Sequence, residues 1–144
     1  MTDDAYDLSR FVAAQDAGGT YDRALAELRR GRKTGHWMWF VFPQVAGLGH
    51  SQTAQHYAIA SLGEARAYLT HPVLGPRLRE CATVVAGLPP GAEAIFGSID
   101  AMKLRSSMSL FLRADPDEPV FQAVLDRHYA GRADPMTDQI LGLG

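Results

Sequence analysis

The chain has little cysteine and little excess charge. Its single cysteine, Cys81, cannot form a disulfide within the chain or supply a metal site with several thiolates. This usage is typical of a reducing compartment and predicts a cytoplasmic location. The 14 basic and 16 acidic side chains give a net charge of −2. Such a balance offers no broad positive field for a phosphate backbone, so we expect no nucleic acid partner.

Long apolar runs and interdomain linkers are also missing. No run approaches the roughly 20 apolar residues that a membrane helix needs, so we expect no membrane partner. The acidic N-terminus lacks the apolar segment of a secretory signal. The breaks between periodic segments are short and rich in Gly, Pro and Asp, and we find no internal repeat. A length of 144 residues then predicts one domain, spanning residues 1–144.

Apolar residues recur at helical rather than alternating spacing. The clearest example places Leu104, Met108, Phe111 and Leu112 at spacings of four, seven and eight. Ser61 and Glu64 form a capping box, which predicts that a helix follows. The side chains predicted to start helices are Asp7, Thr20, Ser51, Ser61, Asp100, Asp117 and Asp134. The patterns together predict an all-α domain of about seven or eight helices.

Residues 33–51 contain both tryptophans, with polar side chains beside them. The aromatic residues fit either a buried core or a site in which Trp37 or Trp39 stacks on a ligand while His36 or Gln44 orients it. A buried Trp needs a partner for its N–H, and Gln44 or a backbone carbonyl could accept it. The glycine turn at 47–49, before the helix that Ser51 caps, is either a plain turn or an anion site.

A second cluster lies near the start of the helix that Asp100 is predicted to cap. Lys103 and Ser106 share one side of this helix, and Arg105 lies between them in the sequence. First-turn cations oppose the helix dipole. Lys103 and Arg105 are therefore expected either to pair with carboxylates such as Asp100 or to await an anion; a solvated basic face is the plain alternative.

Catalytic and metal motifs are weak or absent. His36 and His56 could act as general acid or base near neutral pH, or could be ordinary histidines whose ring nitrogens are satisfied. The serines lie in no G-x-S-x-G elbow, and there is no H-E-x-x-H pair. Cys81 lies on an apolar stripe, where a thiol stays protonated. We therefore predict no metal site and no cofactor, and the sequence leaves open whether the chain is an enzyme.

Several segments resemble the bacterial DUF1810 family. They are His-Trp-Met-Trp-Phe-Val-Phe-Pro-Gln at 36–44, Gly-Leu-Gly-His-Ser at 47–51, and the stretches at 64–78, 95–97 and 103–108. The likeness extends to residues 11–15 and 120–126, and so covers nearly the whole chain. The resemblance implies a small, predominantly helical domain of unusual topology. It implies no established activity and no catalytic residues.

Three functional hypotheses follow. The first is a domain that binds a small anionic metabolite, such as a nucleotide or sugar phosphate, between residues 36–44 and the Lys103 helix. The candidate ligand-binding residues are His36, Trp37, Trp39, Gln44, Ser51, His56, Lys103, Arg105 and Ser106. The second is a hydrolase or glycosidase that uses His36 or His56. The third is a protein-interaction module with an exposed aromatic surface, whose partner the sequence does not name.

Overall fold

A computed structural model describes residues 4–143, and over this range the chain is all-α, as predicted. Residues 1–3 and 144 of the predicted domain lie outside the described residues. The α-helices are α1 (Ser9–Asp16), α2 (Thr20–Arg29), α3 (Met38–Val41), α4 (Gln52–His56), α5 (Leu62–Thr70), α6 (Leu74–Ala86), α7 (Ala92–Phe96), α8 (Ser98–Ala114), α9 (Pro119–His128) and α10 (Pro135–Ile140). A 3-10 turn, Ala17–Gly19, joins α1 to α2.

The described chain has ten α-helices, more than the seven or eight predicted. Three of them, α3, α4 and α7, have only four or five residues. A single turn offers few apolar positions that could show a helical period, and α4 was predicted from its cap, Ser51, instead. One isolated parallel bridge joins Val45 to Ile59. None of the helices within residues 4–143 is long and apolar enough to cross a bilayer.

The long helix α8 lies at the centre of the fold. It packs against α5, α7, α9 and α10, while α6 packs against α2, α5 and α9. Its apolar stripe is buried as its spacing predicts, with Leu104, Met108 and Phe111 fully inaccessible to solvent. The Phe111 ring contacts Tyr68 of α5 at 5.2 Å and Phe121 of α9 at 5.9 Å between centroids. Aromatic packing therefore joins three helices and fixes the position of α8.

Three predicted N-caps are confirmed. Ser51 Oγ accepts a hydrogen bond from Ala54 N, and Ser61 Oγ accepts one from Glu64 N, both at 3.1 Å. The Asp134 carboxylate accepts bonds from the backbone of α10, including Thr137 N at 3.2 Å. The Glu64 carboxylate differs from an ordinary capping box, since Oε1 accepts from Ala60 N rather than from the cap residue itself.

Two predicted caps at the N-terminal end are wrong. Helix α1 begins at Ser9, and the carboxylate of Asp4, not of Asp7, accepts hydrogen bonds from the first backbone N–H groups. Helix α2 begins at Thr20 itself, after a left-handed Gly19, and the Thr20 hydroxyl donates to Ala17 O. Asp4 thus takes the role predicted for Asp7, and Gly19 occupies the cap position predicted for Thr20.

The predicted caps of α8 and α9 are also wrong. Helix α8 begins at Ser98 after Gly97, whose φ of 80° favours glycine, so Asp100 lies inside the first turn. Helix α9 begins at Pro119 after Glu118, with no side-chain cap from Asp117. The earlier start of α8 has a consequence for the candidate site, because Lys103 then lies beyond the first turn and does not oppose the helix dipole as the sequence suggested.

Candidate functional site

A cleft lies between residues 44–49 and the start of α8, with the start of α10 on its far side. Backbone hydrogen bonds from Ile59 N to Gln44 O, at 2.9 Å, and from Ala46 N to Ile59 O, at 2.8 Å, hold the first of these walls. Gly49 lies so close to α4 that a Cβ there would be 2.5 Å from Ala54 Cβ. Packing against Ala54 therefore requires a glycine at position 49, which explains one of the two glycines of the 47–49 turn.

The cleft has a volume of about 340 Å³ and brings together residues from both clusters that the sequence singled out. Its polar lining consists of Gln44, Lys103, Arg105, Ser106 and Asp134. Four of these are predicted ligand-binding residues; Asp134 was predicted only as a helix cap. The aromatic segment and the Lys103 helix thus meet in space, which sequence alone could not establish.

Trp39 lies next to the cleft rather than in it. A recess of about 10 Å³ is lined by Trp39 and shares Gln44, Gly49 and Lys103 with the cleft. This volume holds about one water molecule. The Lys103 ammonium lies 5.0 Å from the centroid of the half-buried Trp39 ring. The indole therefore supports the lysine through a cation–π contact where the recess adjoins the cleft.

Lys103 shares one carboxylate with the other lysine of the chain. Its Nζ lies 3.6 Å from Asp100 Oδ1, whereas Lys33 Nζ lies 2.8 Å from Asp100 Oδ2. The Lys33 side chain is 8% exposed and that of Lys103 is 24% exposed. Asp100 thus makes its close ion pair with the buried lysine, and Lys103 keeps part of its charge available to the cleft.

Arg105 and Ser106 are largely committed to the protein. The Arg105 guanidinium donates from Nε to Arg132 O and from Nη2 to Ala133 O, both at 2.9 Å. Ser106 Oγ lies 3.0 Å from Asp134 Oδ2, the same oxygen that caps α10. Carbonyl oxygens do not neutralise a guanidinium, so Arg105 still contributes positive charge to the cleft wall. Ser106, in contrast, mainly fixes the carboxylate of Asp134.

Trp37 lies in the core and not in the cleft. It is 2% exposed, and its indole Nε1 donates to Glu27 Oε1 at 3.0 Å. The predicted acceptors, Gln44 or a backbone carbonyl, are therefore wrong. The same carboxylate oxygen accepts from Thr34 N at 2.7 Å and from Gly35 N at 2.8 Å. Burial raises the pKa of Glu27, but these three hydrogen bonds outweigh it and hold the pKa below its usual range.

The sequence pattern did not indicate a role for Glu27. It lies on α2, where a single acid followed by Leu28 and two arginines resembles the solvated face of an amphipathic helix. The only available signal is that position 27 falls between the apolar positions Leu25 and Leu28. That signal is weak, because such positions often lie at the edge of an apolar stripe.

Three further candidate residues lie outside the cleft. His36 is exposed in the loop before α3 and does not line the cleft. Ser51 is exposed and occupied as the cap of α4. The exposed ring of His56 packs edge-on against Tyr57 at 4.6 Å, also away from the cleft. The structure therefore does not bring His36, Ser51 and His56 together with Lys103.

The remaining lining of the cleft is apolar. It consists of Leu48, Ile99, Met102 and Met136, apart from Gly49. Ile99 and Met102 lie in the first turns of α8, and Met136 lies in the first turn of α10. These three residues were not predicted to contribute to a site, because single apolar residues at helix starts are common in protein sequences.

The lining residues of the cleft include no histidine and no cysteine. Within residues 4–143 no group of three His, Cys, Asp or Glu side chains could hold a metal ion. Burial raises the pKa of the Cys81 thiol to about 12, so this cysteine is protonated at neutral pH, as its apolar position predicts. The cleft combines a cationic wall, an amide and an apolar wall, a combination that is typical of ligand-binding sites in proteins.

The fold and the cleft define a small all-α domain with a mixed cationic and apolar cleft. The chain belongs to the DUF1810 family, because the model of that family, described as a protein of unknown function, matches residues 5–141. This confirms the resemblance found in the sequence.

The chain is also similar to the conserved hypothetical protein Rv1873 from Mycobacterium tuberculosis, with 49% identity and a TM-score of 0.93. That match covers 98% of this chain and 100% of the crystal structure's chain. The comparison with curated proteins found no match.

Proposed function

We propose that this domain binds a small organic anion in the cleft between residues 44–49 and α8, with Lys103 as the principal cation. The observation that carries the proposal is the position of Lys103 over Trp39, on the cleft that Gln44 also lines. An ammonium held by a cation–π contact is oriented without being neutralised. The Lys103 ammonium therefore keeps a positive charge that can bind an anion.

The charge balance around the cleft supports the proposal. The charged lining side chains are Lys103, Arg105 and Asp134, and ion pairs link Lys103 to Asp100 and Asp100 to Lys33. These side chains leave a net charge of about +1. The carboxylate closest to Lys103 is already bound more tightly by Lys33. An incoming anion would therefore gain an interaction that the protein does not fully satisfy by itself.

The dimensions and lining also suit a small molecule. Ligand sites in proteins are typically clefts of about 300–1,000 Å³, mostly apolar, with a few placed polar groups. The volume of about 340 Å³ lies at the lower end of that range. Gln44 adds an amide that can both donate and accept. A compact ligand, smaller than a dinucleotide, fits these dimensions best.

The hydrolase hypothesis receives no geometric support, because neither His36 nor His56 lines the cleft. We retain from the sequence the proposal of a cytoplasmic location. It is supported by the single cysteine, Cys81, which is buried and unpaired.

Thermal unfolding in the presence of small anions tests the proposed function. The probes are inorganic phosphate, glucose 6-phosphate, AMP and octanoate. A probe present at about 100 times its Kd is expected to raise the Tm by about 5–10 °C. Lys103→Gln is expected to abolish the shift. Arg29→Gln is the matched control, since Arg29 makes a similarly loose ion pair, at 3.9 Å to Glu80, and does not line the cleft. The absence of a shift with every probe would overturn the proposal.

A further inference from the structure

The exposed apolar side chains of this protein are concentrated beside the cleft. Six large apolar residues in the described part of the chain are exposed, namely Tyr6, Ile99, Met102, Met136, Ile140 and Leu143. Three of them, Ile99, Met102 and Met136, line the cleft. Ile140 lies beside its glycine wall, since a Cβ at Gly47 would be 3.5 Å from Ile140 Cδ1. Singly scattered apolar residues need no explanation, but a group around one cleft indicates a binding surface.

Most of the surface of these three side chains is exposed to solvent. Ile99 is 70% exposed, Met102 is 71% exposed and Met136 is 53% exposed. Their surface is in water although α8 and α10 pack against each other nearby. Two of the three are methionines, whose flexible thioether chains adapt to the shape of an apolar ligand. They would lose exposed surface if an apolar group occupied the cleft.

The charged side chains that line the cleft limit the number of negative charges on a ligand that can bind there. Lys103 and Arg105 face the cleft together with one carboxylate, Asp134, which gives its lining a net charge of about +1. A triphosphate would bring several negative charges to a wall that can balance about one, and it would bring them close to Asp134. An anion with one charge matches this wall, and its uncharged remainder matches the apolar wall.

We propose that the cleft recognises a singly charged amphipathic anion, a carboxylate with an aliphatic or aromatic body. The carboxylate meets Lys103 and Gln44 beside Trp39. The body lies along Met102 and Met136. This inference rests on the proposed function, and it selects one ligand class among the small anions considered there.

A chain-length series tests the inference. Calorimetric Kd values are measured for acetate, butyrate, hexanoate and octanoate, with 1-octanol as the uncharged analogue and ATP as the multiply charged one. We expect the affinity to rise about three- to fourfold for each methylene that enters the cleft, the equivalent of burying one CH₂. Octanoate is expected to bind at least tenfold more tightly than 1-octanol or ATP.

Two variants separate the two walls. In Met102→Gln/Met136→Gln the dependence on chain length is expected to flatten while the weak affinity for acetate remains. In Lys103→Gln octanoate and 1-octanol are expected to bind alike. Tyr6→Ser is the matched control, because Tyr6 is an exposed apolar residue that does not line the cleft. Circular dichroism verifies that each variant is folded.

Each other outcome counts against the inference in a distinguishable way. If acetate or ATP binds as tightly as octanoate, the inference is overturned and the proposed function stands. If no anion binds, both fail. If 1-octanol binds as tightly as octanoate, the charged wall has no role and the inference fails. Self-association that Met102→Gln/Met136→Gln abolishes would show that these apolar residues form an interface between copies of the chain, and it would overturn the inference as well.

Discussion

Two lysine–tryptophan pairs occupy adjoining parts of this protein and have different surroundings. In each pair the ammonium lies 5.0 Å from the indole centroid, as Lys33 does over Trp37 and Lys103 does over Trp39. Both lysines bind Asp100. The first pair is buried in the core, whereas the second is partly exposed beside the cleft.

The difference comes from what surrounds each pair. Glu27 accepts the indole N–H of Trp37, and Lys33 also donates to Gly35 O, so the polar atoms of the first pair find partners inside the protein. Around Lys103 the longer contact to Asp100 is accompanied by an open cleft. The same pairing is thus fully satisfied inside the protein in one place, whereas in the other it leaves an ammonium partly exposed beside an open cleft.

The largest expected effect distinguishes the two tryptophans by stability. Trp37→Ala is expected to lower the free energy of unfolding by about 3–5 kcal/mol, because it removes a fully buried ring. Trp39→Ala, at the half-buried position, is expected to cost about 1 kcal/mol. Urea unfolding monitored by circular dichroism measures both. Equal losses would contradict the distinction between a core pair and an open pair.

Most of the fold could be predicted because helices are encoded locally. The caps at Ser51, Ser61 and Asp134 were correct, since each side chain accepts a hydrogen bond from a backbone N–H three residues further along the chain. Asp100 failed as a cap because a distant residue, Lys33, and an earlier start of α8 decide its role. Sequence patterns show which residues lie close together along the chain, but they do not show which distant residues meet in the fold.

The next effect concerns Glu27, the buried carboxylate that accepts a hydrogen bond from Trp37 in the first pair. Glu27→Gln keeps an acceptor but loses its charge, so the three donors to it form weaker hydrogen bonds. At pH 7 the variant is expected to be less stable by about 1–2 kcal/mol, the difference between charged and neutral acceptors. Denaturant unfolding at several pH values measures the loss.

The pH dependence has a defined sign. The pKa of Glu27 is lowered from an ordinary value of 4.5. Its stabilisation is therefore fully present above that value and is lost as the pH falls through the lower pKa of the folded state. The difference between Glu27→Gln and the unmodified protein should shrink in that acidic range. Glu93→Gln, at an exposed acid of α7, is the control and should show no such trend. A constant difference down to pH 3 would count against the role given to Glu27.

The candidate site could be predicted only in part. Lys103, Arg105 and Gln44 were singled out because cations and an amide near aromatic residues suit a ligand, and the structure places them on one cleft. The apolar wall was missed because it combines residues from α8 and α10 that are far apart in the chain. Only the packing of α10 against α8 makes them neighbours.

The smallest expected effect on stability is at Lys103. Lys103→Gln is expected to change the free energy of unfolding by less than about 0.5 kcal/mol, because its ion pair with Asp100 spans 3.6 Å and is partly exposed. Lys33→Gln is expected to cost about 1–3 kcal/mol, since it leaves the inner oxygen of Asp100 without its buried partner. Urea unfolding of both variants at low and high salt makes the comparison. Should the two losses prove equal, Lys103 would be as firmly committed to the fold as Lys33, and its availability to an anion would lose its physical basis.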